Sequence, residues 1–106
     1  MSDGVQTILC ELSRRLEALY GVRFVRLVLF GSQARGDAEP GSDIDVLVVL
    51  RGAVSPCDEI ERTLNDVAEL SLENDAVVSC VFVSDEEFRR EQSPLLLNIR
   101  REGVLV

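Results

Sequence analysis

Four consecutive apolar residues, Leu27-Val28-Leu29-Phe30, run without interruption into Gly31. Side chains alternate between the two faces of a strand, so a strand with one wet face alternates apolar and polar positions. A run this uniform belongs to a strand covered on both faces. The covering layers have to be helices supplied by the same short chain. Upstream, Val5, Ile8, Leu9, Leu12, Leu16 and Leu19 recur at helical spacing, with Ser2 or Asp3 as cap and Gly21 as stop. Residues 22–30 then read as a first strand and residues 42–50 as a second, with a turn over 37–41 around Pro40. Pro56 opens a helix whose inward stripe is expected to be Ile60, Leu64, Val67, Ala68 and Leu72. A third strand follows over 76–83. Ser84 and Glu87 form a capping box for a short helix, Pro94 restarts it, and residues 104–106 make a brief edge strand. The expected fold is α/β: a small mixed sheet flanked by helices, forming one domain over residues 1–106.

Composition removes several functions. Nineteen acidic against eleven basic side chains give a net charge of −8. A free-standing nucleic-acid binder needs the opposite sign, so no direct nucleic-acid binding is expected. No apolar stretch reaches the roughly 18 residues of a membrane helix, and the first residues lack a signal-peptide layout, so a cytoplasmic address is expected. The chain has no histidine, and its three cysteines, Cys10, Cys57 and Cys80, are widely spaced. Histidine-based triads drop out, and a zinc site loses its commonest nitrogen ligand. Chemistry here falls to carboxylates, hydroxyls, arginines and backbone amides.

The stretch that carries such groups is residues 30–50. Asp43 and Asp45 lie at the mouth of the second strand, two residues apart, on one side and about 7 Å from each other. Like carboxylates at that spacing repel, and a cation between them removes the penalty. Mg²⁺ suits a site that offers few protein oxygens and completes its shell with substrate phosphates and water. Gly31 lets the backbone approach a ligand closely, Ser32 is expected to cap the short helix that follows, and the amides there face a phosphate. Arg35, on the same turn, adds a cationic contact. Together these residues describe a nucleoside triphosphate held by amides on one side and by a metal-loaded acidic pair on the other.

The run Gly31-Ser32-Gln33-Ala34-Arg35-Gly36, followed by Ser42-Asp43-Ile44-Asp45 and an apolar strand, resembles the signature of the minimal nucleotidyltransferases of the DNA polymerase beta-like superfamily. The resemblance implies a nucleotidyltransferase core fold. It assigns Gly31 and Ser32 to the nucleotide phosphates, and Asp43 and Asp45 to catalytic divalent metal. It further implies ATP as the substrate, Mg²⁺ as the metal, and a helical HEPN-type partner of the kind found in toxin–antitoxin modules. The family pattern has a third carboxylate on the next core strand. Here that strand contains no acid, and Ser79 is the best match to the position, with Asp75 and Asp85 flanking it. Two readings stand side by side. One is a nucleotidyltransferase that modifies a protein partner, weakened by the lost acid. The other is an acidic, antitoxin-like subunit that masks its partner without turnover. A homo-oligomer is compatible with either.

Overall fold

The computed structural model describes residues 3–36 and 42–106, so the expected Ser2 cap and the turn over 37–41 lie outside the described residues. Helix α1 (Asp3–Tyr20) leads through a short 3-10 turn into strand β1 (Phe24–Phe30), and the one-turn helix α2 (Ser32–Arg35) follows. Strand β2 (Ile44–Leu50), helix α3 (Pro56–Glu73) and strand β3 (Val78–Ser84) form the middle of the chain. Helices α4 (Asp85–Arg90) and α5 (Pro94–Glu102) and the two-residue strand β4 (Val104–Leu105) complete it.

The strands form one mixed sheet in the order β3-β2-β1-β4. β1 runs antiparallel to both β2 and β4, whereas β2 and β3 are parallel, with α3 as the crossover that parallel pairing requires. The uniform apolar runs occupy the two central strands and are covered on both faces. Leu27, Leu29, Val46, Val48 and Leu50 pack with α1 on one side. Val28, Leu47 and Val49 pack under Leu96 and Ile99 of α5 on the other. The capping box forms as its sequence implies: Ser84 Oγ accepts the Glu87 amide at 3.1 Å, and Glu87 Oε1 accepts the Ser84 amide at 3.3 Å. Ser93 caps α5 by accepting the Leu96 amide, with Pro94 in the first turn. Val104 and Leu105 form the expected edge strand. Among the described residues no helix is long and apolar enough to cross a membrane.

Helix α1 buries its expected stripe from Val5 through Leu16 and departs from it only in its last turn, whereas α3 is rotated relative to its expected stripe. In α1 Tyr20 is buried and Leu19 is 39 % exposed, the reverse of the expectation for position 19. In α3 the buried residues are Glu59, Thr63 and Leu70, while Ile60, Leu64 and Leu72 are exposed. Polar links explain this rotation. Tyr20 Oη donates to Glu59 Oε1 at 2.9 Å, Arg62 pairs with the same carboxylate, and the Ser55 amide donates to Glu59 Oε2 at 3.3 Å. Two to three turns further along α3, Asp66 and Glu69 are both reached by Arg15 of α1 at 3.1 Å. A buried carboxylate without partners is costly, so the partners waiting on α1 turn the Glu59 side inward.

Candidate functional site

The end of β1 is shaped by Gly31. Its φ of 75° and ψ of −157° lie in a region that essentially only glycine adopts. In that conformation the Gly31 carbonyl accepts the amides of both Ala34 and Arg35 at 3.2 Å, which makes Gly31 the N-cap of α2. Ser32 is therefore the first helical residue and not the cap, because the backbone reversal happens one residue earlier than expected. The amides of Ser32 and Gln33 are left at the head of the turn, where a helix start has no internal acceptors. Arg35 is exposed, and with Gly31 it lines a small cavity of about 140 Å³ whose other wall is Leu95, Asn98 and Glu102.

β2 begins at Ile44, so Asp43 stands just before the strand and Asp45 is its second residue. Ile44 is buried among the α1-facing core, as expected for the residue between the two acids. Asp45 is in register with Phe30 of β1 and with Ser79 of β3. Its carboxylate lies directly over Gly31: a methyl group added at Gly31 would sit 2.5 Å from Asp45 Oδ2. The structure thus brings Gly31, Ser32, Asp43 and Asp45 to one end of the sheet. The group that closes on the bare Gly31 backbone is this carboxylate, where the sequence alone suggests an approaching ligand.

Burial, and secondarily the charge of Asp43, push the Asp45 carboxyl above the ordinary aspartate value. The repulsion expected from the Asp-x-Asp spacing is therefore present, on a half-buried group beside an exposed one. Gln33 ties the two halves together, its Nε2 donating to the Ser42 carbonyl at 3.5 Å. Nothing in the local pattern singles Gln33 out, because its acceptor lies nine residues on.

Ser79 stands beside Asp45, one strand over and exposed. Neither flanking acid is in register with Asp45. Asp85 lies six residues along β3, about 20 Å away at the strand rise, and is within 4.0 Å of Arg89. Asp75, in a left-handed turn with φ 48°, lines a groove of about 440 Å³ on the Ile44 side of the sheet, together with Val5 and Ile8 and with Gln33 and Ser42 at the border of the site. Among the described residues no group of three carboxylates, cysteines or histidines converges on a metal position. Cys80 points into the α1-facing core, and burial pushes its thiol up to about 12.

A mixed sheet with a glycine-led turn after its first strand and an acidic pair opening its second is the architecture of a nucleotidyltransferase fold. The model of the nucleotidyltransferase domain family matches residues 9–102, and the chain belongs to that family. A proposed protein adenylyltransferase of Methanocaldococcus jannaschii is 32% identical over 81 residues, covering 76% of this chain and 75% of that protein. The solved structure of a proposed minimal nucleotidyltransferase superimposes with a TM-score of 0.61 at 25% identity, over 96% of this chain and 95% of that one. A toxin–antitoxin crystallised with AMP-PNP gives a TM-score of 0.62 at 21% identity, over 90% of this chain and 70% of that one.

Proposed function

We propose that the chain binds ATP with Mg²⁺ and transfers a nucleotidyl group to a protein partner, a helical HEPN-type subunit. The observation that carries this reading is the Asp45 carboxylate seated on Gly31. It joins an acidic pair to the head of a turn with open amides, so that anions and a cation-binding pair share one end of the sheet. Ser32 and Gln33 amides orient the phosphates, and Asp43 and Asp45 hold Mg²⁺. The fit is supported by the half-buried Asp45 carboxylate beside Asp43: burial first, and then the like charge, raise its pKa, a penalty that a bound cation relieves. Bound there, Mg²⁺ supplies neutralisation of phosphate charge. In the transfer, the acceptor hydroxyl oxygen bonds to the α-phosphorus, the α–β phosphoanhydride bond breaks, pyrophosphate leaves, and the hydroxyl proton passes to water. The adenylyltransferase relative and the AMP-PNP-bound neighbour support the choice of ATP.

Ser79 favours a second reading, a subunit that binds nucleotide and partner without turnover. A neutral hydroxyl beside Asp45 neither takes the acceptor proton at neutral pH nor adds anionic charge to the metal site. General-base assistance is worth about 10²–10⁴ in rate, so its loss separates binding from catalysis. Calorimetric titration with ATP, with and without Mg²⁺, tests the shared part: Asp45→Asn abolishes the Mg²⁺-dependent affinity, and unchanged affinity refutes the site. Labelled-ATP transfer onto the partner then divides the readings, with label on the partner supporting the enzyme and tight binding without label supporting the silent subunit.

A further inference from the structure

We infer that the open flank formed by α3 and β3 is the interface of a twofold dimer of this chain. The inference is independent of the nucleotide site. β3 is the outer strand of the sheet, and among the described residues no strand pairs with its far side. It presents seven residues, Val78–Ser84, without a charge, a proline or a break in its register with β2. Proteins usually blunt such an edge with charge, a bulge or brevity, and here the opposite edge, β4, is only two residues long. β3 carries none of these devices.

The helix above it tells the same story. At about 100° per residue, Cys57, Ile60, Leu64, Val67, Ala68 and Ser71 fall within about 100° of arc on α3. None is charged, and all seven charged residues of the helix lie outside that arc. Ile60 is 50% exposed and Leu64 57% exposed. Between this arc and Val78, Cys80 and Phe82 lies a groove of about 230 Å³. Ile60 and Leu64, expected to face the core, thus line the side of the molecule next to the open strand.

Charge selects the occupant. A basic partner drawn by the net charge of −8 would find no carboxylate among the residues that line this groove, Glu61 standing at the border of the arc and Asp66 and Glu69 being held by Arg15 of α1. A second copy meets an uncharged strip identical to its own, with the net negative charge of each chain carried outside the contact. A twofold axis normal to the sheet sets the two β3 strands antiparallel and keeps both α3 helices on the same face. Ile60 and Leu64 then meet their counterparts above a continuous sheet. The strip is about 23 Å long and about 20 Å deep, so the pair buries on the order of 1,000 Å² in total, the lower bound for a specific interface. Ser79 gains the second copy's strand on its outer side, one strand spacing further from Asp45.

Sedimentation equilibrium over a concentration series tests this, with hydrogen exchange to locate the face. The parent is expected to dimerise, with the β3 amides gaining protection as concentration rises. The double variant Ile60→Glu, Leu64→Glu alters only exposed positions and should weaken dimerisation about 100-fold or more while circular dichroism and Tm stay near the parent's. Leu105→Glu, at a position 65% exposed on β4 at the opposite edge of the sheet, should leave the dimer intact. A parent that stays monomeric throughout overturns the inference, as does a double variant that dimerises like the parent. Protection of β3 that arises only when a HEPN-type partner is added assigns the face to that partner and equally overturns it.

Discussion

Replacing Gly31 by alanine probes the contact on which the site is built. The substitution incurs two separable costs. The backbone at φ 75° and ψ −157° sits where a side chain is strained by about 1–3 kcal/mol. The new methyl group also stands 2.5 Å from Asp45 Oδ2, well inside contact distance. The carboxylate is the end of a short side chain, so it swings off its rotamer at about 0.5–1.5 kcal/mol. The sum is about 2–4 kcal/mol. At about 4–8 °C per kcal/mol for a domain near this size, Tm falls by on the order of 10–30 °C. Removing the carboxylate with Asp45→Ala separates the parts: the backbone cost persists and the collision disappears. Urea unfolding of the parent, both single variants and the double variant closes the cycle, with an expected coupling of about 1 kcal/mol. If Gly31→Ala costs the same in both backgrounds, the carboxylate does not rest on Gly31 and the site geometry is wrong. Because the collision displaces a proposed metal ligand, Gly31→Ala should also weaken Mg²⁺-dependent ATP binding, so both stability and affinity respond.

Three further outcomes follow from individual groups. The Asp45 carboxyl is raised above its ordinary 3.8 by burial and then by Asp43, so the folded chain holds this proton more tightly than the unfolded one. Its ionisation therefore costs stability as pH rises from the ordinary value through the raised one, and the advantage of Asp45→Asn over the parent should be larger at about pH 7 than at about pH 3. Urea unfolding at both values checks the sign, and an advantage that grows on acidification refutes it. Tyr20 is the sole tyrosine, and burial together with its bond to Glu59 pushes the phenol up to about 12. Absorbance titration of the phenolate reads it directly; Glu59→Gln should lower the midpoint, and a parent midpoint near 10 in folded protein contradicts the contact. Ser79→Asp should raise transfer to the partner and lower stability without ligand, with the loss shrinking when Mg²⁺ and ATP are added. A loss of stability insensitive to both would mean that position 79 does not face the metal.

Much of the fold is legible along the chain because its signals are local. The uniform runs at 27–30 and 46–50 require covered strands, the Ser84 and Glu87 pair specifies the start of α4, and Gly31 and Gly36 mark a turn with positive φ at both ends. Asp43, Ile44 and Asp45 likewise announce two acids about a buried anchor. Each of these depends on backbone geometry within a few residues. What the chain does not reveal by itself is what each element faces. A helical period shows that α3 has an apolar arc but not where the arc points. Its rotation is decided by Tyr20 and Arg15, which hold Glu59, Asp66 and Glu69 from another helix and leave Ile60 and Leu64 at the flank. The register that sets Ser79 beside Asp45, and places Asp85 about 20 Å away, belongs to strands separated by the whole of α3. The carboxylate seated on Gly31 is likewise a contact across the sheet. Local spacing determines which residues have the chemistry; only the packed sheet and helices decide which of them meet, because rotation and register are set by partners distant in sequence.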